Sequence, residues 1–136
     1  MDLKIGELAR LTGTSAPTIR YYEDIGLLPP PHRAGGQRRY RDDDVRRLTF
    51  VRRCRDFGFP IEAVRTLASL SADRDHSCIE ARDIARTHLA AVHRRMVELR
   101  ALEHSIAELV DAADGACSGG PGAECAVLRE LARPAR

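Results

Sequence analysis

Four cysteines carry the most distinctive chemistry in this sequence: Cys54, Cys78, Cys117 and Cys125. In a reducing compartment such thiols are free, metal-bound or redox-active rather than structural disulfides. Thiolates favour soft ions, with Cu(I), Zn and the heavier divalent ions as natural guests. Cys117 and Cys125 are separated by seven residues in a glycine-rich stretch, GACSGGPGAEC, with no bulky side chain to prevent folding around an ion. Cys78 stands just before a long periodic segment, and His76 beside it could add a nitrogen ligand. Cys54 falls on an apolar helix face and reads as a small buried residue.

A second chemistry is electrostatic. The 136 residues carry a net charge of only +2, but it is unevenly placed. Residues 31–55 hold nine arginines against three aspartates, a balance of +6. That is the footprint of a polyanion-binding patch, or of a solvated charged face. Residues 70–136 hold nine basic and eleven acidic side chains and lean negative. No Ser/His/Asp set, phosphate-cradling glycine loop or paired catalytic carboxylates occur, and the histidines are scattered, so an enzyme is not expected.

Hydrophobic residues make up 43% and charged residues 31%, which suits a small globular domain with an appendage. Collagenous, disulfide-scaffold and fully disordered classes are excluded. No run of about 18 apolar residues occurs, and MDLKIGELAR lacks a signal-peptide core, so a cytoplasmic location without a membrane span is expected.

The elements that must position these groups follow from periodicity. Apolar residues at Leu3, Ile5, Leu8, Ala9 and Leu11 predict a short helix over 3–11. After the turn Thr12-Gly13-Thr14, Ser15 is an N-cap and Pro17 falls in the first turn of a helix over 16–25, stopped by Gly26. The pair makes a helix-turn-helix. Gly35-Gly36 predicts a hairpin wing bearing Arg33, Arg38, Arg39 and Arg41. Asp42-Asp43-Asp44 open a helix to about 57, with Val45, Leu48, Thr49, Phe50, Val51 and Cys54 read as inward. Pro60 opens another over 61–70. From Ala81 to Ala113, apolar residues recur every three or four positions, interrupted at Glu103, without glycine or proline. Such a stripe cannot be buried on its own helix, which predicts a coiled coil with a second copy. The glycine-rich loop 115–124 and a short helix over 125–132 complete the expectation.

KIGELARLTGTSAPTIRYYEDIGLLPP, then RRYRDDDVRRLTFVRRCRDFGF, then a long helix, resembles the MerR family of transcription regulators. The match is tight over residues 3–70. The resemblance implies a mainly α fold: a winged helix-turn-helix DNA-binding head (1–70), a linker and antiparallel coiled-coil dimerisation helix (71–113), and a metal-binding loop with a short C-terminal helix (114–136). It implies a homodimer on palindromic double-stranded promoter DNA, which is bent and untwisted for RNA polymerase when the effector binds. The helix over 16–25 would enter the major groove, with Ser15, Thr18, Arg20 and Tyr21 as contacts. Arg38 and Tyr40 match the family positions that grip the backbone, with Arg39 beside them. Tyr22 suits core or contact, and Arg46, Arg47, Arg52 and Arg53 suit phosphate contact or solvent.

For the effector, an interval of 39 residues spans roughly 58 Å as helix, so Cys78 cannot meet Cys117 in one chain while the helix is straight. In the antiparallel dimer that the resemblance implies, Cys78 of one protomer comes beside Cys117 and Cys125 of the other. Cysteine at position 78 is, in the family, associated with divalent sensing of the Cd(II), Pb(II) or Hg(II) type. The loop spacing also fits the Cu(I) branch, which uses the two loop cysteines alone. The loop lacks the histidine of the zinc branch, although zinc stays open. Ala113 stands where a first loop cysteine is expected, so the interval is one helical turn longer than in the metal-sensing branches. Direct thiol oxidation is a further alternative.

Overall fold

The computed structural model describes residues 2–75, 77–116 and 119–135. Its packing divides into two units, Met1–Ala85 and Arg86–Arg136. The first contains α1 (Ile5–Thr12), α2 (Ala16–Asp24), β1 (His32–Ala34), β2 (Gln37–Arg39), α3 (Asp42–Asp56) and α4 (Ile61–Ser71). It also contains the start of α5 (Ile79–Ala116).

α1 begins two residues later than its apolar spacing predicts. Leu3 is instead bridged to Tyr40: its N–H donates to the Tyr40 carbonyl at 2.7 Å, and the Tyr40 N–H donates back at 2.9 Å. Local periodicity cannot anticipate a partner so distant in sequence. The Glu7 carboxylate accepts from the Lys4 N–H at 3.2 Å and caps the first turn. Leu11 is 64% exposed although it lies only three residues on from buried Leu8, so the face that α1 buries is narrower than its apolar spacing suggests. Gly13, at φ +65°, ends the helix in the left-handed conformation that glycine adopts without steric cost. Ser15 then caps α2, its hydroxyl accepting from the Thr18 N–H at 3.3 Å.

The wing is a two-stranded antiparallel hairpin pairing His32 with Arg39, Arg33 with Arg38 and Ala34 with Gln37. Its turn residues Gly35 and Gly36 both have positive φ, as a two-residue hairpin turn requires. In α3, Leu48, Val51 and Cys54 are buried as expected. Thr49 is not: it faces solvent and its hydroxyl donates to the Val45 carbonyl at 2.7 Å. The apolar run around Thr49 is wider than the stripe that α3 buries.

Leu8, Ile19, Leu27, Leu48, Val51 and Val64 are almost wholly buried and bring the head's four helices onto one core. Each such side chain stabilises the fold by about 1.5–3 kcal/mol relative to exposure. Three arginines tie the outer helices to the helix-turn-helix. Arg52 donates to the Thr12 carbonyl at 2.7 Å, Arg65 to the Ile25 carbonyl at 2.7 Å, and Arg47 to the Leu27 carbonyl at 3.2 Å. Thr12 and Ile25 end α1 and α2, whose last carbonyls lack intrahelical donors and attract cations.

In the second unit α5 runs through Gly115 to Ala116, past the end expected near residue 113. A 3-10 turn (Gly122–Glu124) forms inside the expected loop, and α6 (Ala126–Leu131) follows. Along α5, Leu89, Val92, Met96, Leu99, Ile106 and Val110 are all 41–68% exposed. Among the described residues no helix is long and apolar enough to cross a membrane.

Candidate nucleic-acid interface and thiol positions

The residues at α2 expected from the sequence to contact DNA differ in exposure. Ser15, Arg20 and Tyr21 are exposed and Thr18 is half-buried. The Ser15 and Thr18 hydroxyls lie 2.8 Å apart, so capping and presentation of these groups are coupled. Arg20 makes no hydrogen bond or ion pair with the described residues, and its guanidinium is available for a bidentate contact. Ile19 and Tyr22 of α2 are in the core, which settles Tyr22 as a packing residue.

The wing divides its side chains. Arg33 and Arg38 are directly paired across the hairpin, an arrangement of like charges that is destabilising unless an anion lies nearby. Arg39 is half-buried. Tyr40 lies inside: it is 2% exposed, and its hydroxyl donates to Glu23 Oε1 at 2.5 Å. Burial, and then this hydrogen bond, push the Tyr40 phenol well above its ordinary pKa. The other Glu23 oxygen lies 3.4 Å from Arg38 Nε, and the Glu23 side chain is only 6% exposed. Glu23 was not among the residues picked out by the sequence. Its only signal is an acidic residue next to a buried tyrosine, and nothing local links it to Tyr40.

Of the α3 arginines, Arg47 and Arg52 are engaged with backbone carbonyls, and Arg46 pairs with Asp43. Their density reads as a phosphate patch in sequence, yet much of it holds the helix-turn-helix together.

The thiols are differently placed. Cys54 is buried, and burial raises its pKa, which disfavours the thiolate. Cys78 is exposed immediately before α5, and Cys125 is half-buried between the 3-10 turn and α6. Both are free, soft donors of the type a thiophilic ion requires. Cys117 and His76 lie outside the described residues. Among the described residues no three His, Cys, Asp or Glu side chains converge on one point.

Comparison with known proteins adds the relatives. The family model "MerR HTH family regulatory protein" matches residues 3–70, and "MerR, DNA binding" matches residues 45–109. The chain is 40% identical to the HTH-type transcriptional regulator HmrR of Rhizobium leguminosarum bv. viciae, over 95% of this chain and 97% of that one. It is 35% identical to the HTH-type transcriptional regulator ZntR of Escherichia coli K12, over 94% and 91%. Among solved structures it resembles the transcription regulator PbrR691 from Ralstonia metallidurans CH34 in complex with lead(II). That match has a TM-score of 0.82 and 35% identity, and covers 96% of this chain and 99% of that one.

Proposed function

The chain belongs to the MerR family of helix-turn-helix transcription regulators, and on that premise we propose that it regulates a promoter in response to a soft divalent metal of the Cd(II), Pb(II) or Hg(II) type. The observation that carries this reading is the extent of the likeness to PbrR691. It covers 96% of the chain and so reaches past the DNA-binding head into the segments that bear the cysteines.

In this reading α2 enters the major groove and offers Ser15, Thr18, Arg20 and Tyr21, while Arg38 and Arg39 of the wing meet flanking phosphates. Tyr40 acts from inside, by holding the wing's end. The apolar stripe of α5 pairs with a second copy, because a helix cannot bury its own stripe. Residues 1–70, 71–113 and 114–136 then serve as head, linker with dimerisation helix, and effector segment.

Cys78, Cys117 and Cys125 would hold the ion. The 38 residues of α5 separate Cys78 from the two tail cysteines, a helical length of about 57 Å. An antiparallel pair therefore supplies Cys78 from one copy and Cys117 and Cys125 from the other. A bound ion would cross-link these thiolates and bias the pose of the two heads, distorting the promoter for RNA polymerase.

Anaerobic titration of the reduced protein with Cd(II), Pb(II), Hg(II), Zn(II) and Cu(I), read by thiolate charge-transfer absorption, tests this beside Cys78→Ser. Tight divalent binding that is lost in the variant is expected. A second reading has one observation in its favour: Cys117 and Cys125 share one glycine-rich segment, which suits two-coordinate Cu(I). Tight Cu(I) binding indifferent to Cys78→Ser would establish it instead. Failure of every ion to bind, with a response of the metal-free protein to peroxide, would replace both readings with thiol oxidation.

A further inference from the structure

We propose that Glu23 is a positioning residue that holds the wing arginine Arg38 ready for a DNA phosphate, so that an acidic side chain on the helix facing DNA strengthens binding. The inference rests on the DNA-binding reading of α2 and the wing.

The Glu23 carboxylate divides its two oxygens between two wing residues. Oε1 accepts from the Tyr40 hydroxyl at 2.5 Å, and Oε2 lies 3.4 Å from Arg38 Nε. Tyr40 is itself anchored by its two backbone hydrogen bonds to Leu3. The carboxylate is thus fixed from one side and meets the inner nitrogen of Arg38 with the other. Neither Arg38 Nε nor Glu23 Oε2 makes a directed hydrogen bond, so charge orients this pair. The Arg38 side chain remains 31% exposed, and the guanidinium has no other partner among the described residues. Its outer amino groups are left for a ligand.

Arg33 lies directly opposite Arg38 in the hairpin and repels it. Glu23 offsets that repulsion at the root of the guanidinium. A long arginine side chain loses considerable rotamer freedom when it is ordered on a phosphate. Ordering it beforehand raises affinity by lowering that cost.

The alternative has the opposite sign. If Glu23 were only a buried anion near a polyanion, removing its charge would strengthen binding and leave Arg38 unaffected. Positioning requires that the loss of the anion weaken binding, and only while Arg38 is present.

The test uses the full-length protein and a duplex that the wild-type protein recovers from a random-sequence pool. Affinity is measured at several salt concentrations for Glu23→Gln, Arg38→Ala, Arg38→Lys and the double variant Glu23→Gln/Arg38→Ala. Glu23→Gln is expected to bind about tenfold more weakly, and to have no further weakening effect in the Arg38→Ala background. Arg38→Ala is expected to reduce the salt slope by about one phosphate contact, near 0.9. Arg38→Lys keeps the charge but lacks Nε, and is expected to lose about as much affinity as Glu23→Gln. It alters a wing surface position, so it tests the idea even if Glu23→Gln folds poorly. Unchanged or tighter binding by Glu23→Gln or Arg38→Lys overturns the inference, as does a Glu23→Gln effect of equal size without Arg38. Either result leaves the DNA-binding reading intact. Recovery of no duplex by the wild type overturns both.

Discussion

Tyr40 and Glu23 stand 17 residues apart in sequence, yet a 2.5 Å hydrogen bond from the tyrosine hydroxyl to the carboxylate joins the end of the wing to α2. Both partners are nearly closed off from water. A hydrogen bond to a charged acceptor in such surroundings is stronger than a neutral one. Its loss leaves a buried carboxylate oxygen without its donor. The wing therefore does not hang from the head by its backbone alone.

Tyr40→Phe tests that link. The variant keeps the ring and removes the donor, and is expected to lose about 1–3 kcal/mol of stability, read as a lower midpoint in thermal denaturation. The same contact sets an alkaline limit. The unfolded chain releases a tyrosine proton near pH 10, whereas the folded state holds that of Tyr40 to higher pH. Stability from this group is therefore complete below pH 10 and falls as the pH climbs further. With three tyrosines and no tryptophan, the ultraviolet phenolate signal is simple to follow. A last ionisation that coincides with unfolding is expected, and Tyr40→Phe should abolish it.

Gly13→Ala probes the turn of the helix-turn-helix. Gly13 has φ +65°, and an added Cβ would collide with the Arg52 guanidinium that donates to Thr12. The left-handed conformation alone costs a non-glycine residue about 1–2 kcal/mol. Displacing Arg52 adds to it by uncapping α1. Chemical denaturation should show a penalty above the conformational figure, and a smaller penalty when Arg52→Ala is already present. Strict additivity of the two variants would show that Gly13 and Arg52 do not share the space.

Thiol labelling should proceed in a set order among the cysteines the structure describes. Exposed Cys78 reacts first and half-buried Cys125 more slowly, while buried Cys54, with its raised pKa, reacts only on unfolding. Mass spectrometry of the labelled peptides reads the order directly. Protection of Cys78 and Cys125 by Cd(II), with Cys54 indifferent, is the expected pattern. Early labelling of Cys54 would contradict its place in the core.

The α5 stripe offers a stability test with two signs. Leu99 is 61% exposed and lies in a heptad register with Val92 and Ile106, whereas Glu103 interrupts the companion register of Leu89, Met96 and Val110. A polar residue at a seam position specifies register at a cost in stability. Glu103→Leu is expected to tighten self-association, and Leu99→Glu to weaken it by at least tenfold in sedimentation equilibrium. No change with either variant would mean that the stripe is not a self-association seam.

Features with local causes were legible in the sequence. Gly35-Gly36 specified the hairpin because both positions need positive φ. Ser15 with Pro17 specified the start of α2, and the apolar stripe specified α5 to within a turn. The cysteines announced soft-ligand chemistry by type, without showing how they assemble. The remaining features came from long-range packing. It drew Leu3 out of α1 to pair with Tyr40 and turned Thr49 to solvent. It committed Arg47 and Arg52 to backbone carbonyls when their count suggested phosphate. It also placed Glu23 between Arg38 and Tyr40. Propensity and periodicity report neighbours within a few residues. The fate of a buried polar or charged group depends on partners that only folding brings within hydrogen-bonding distance.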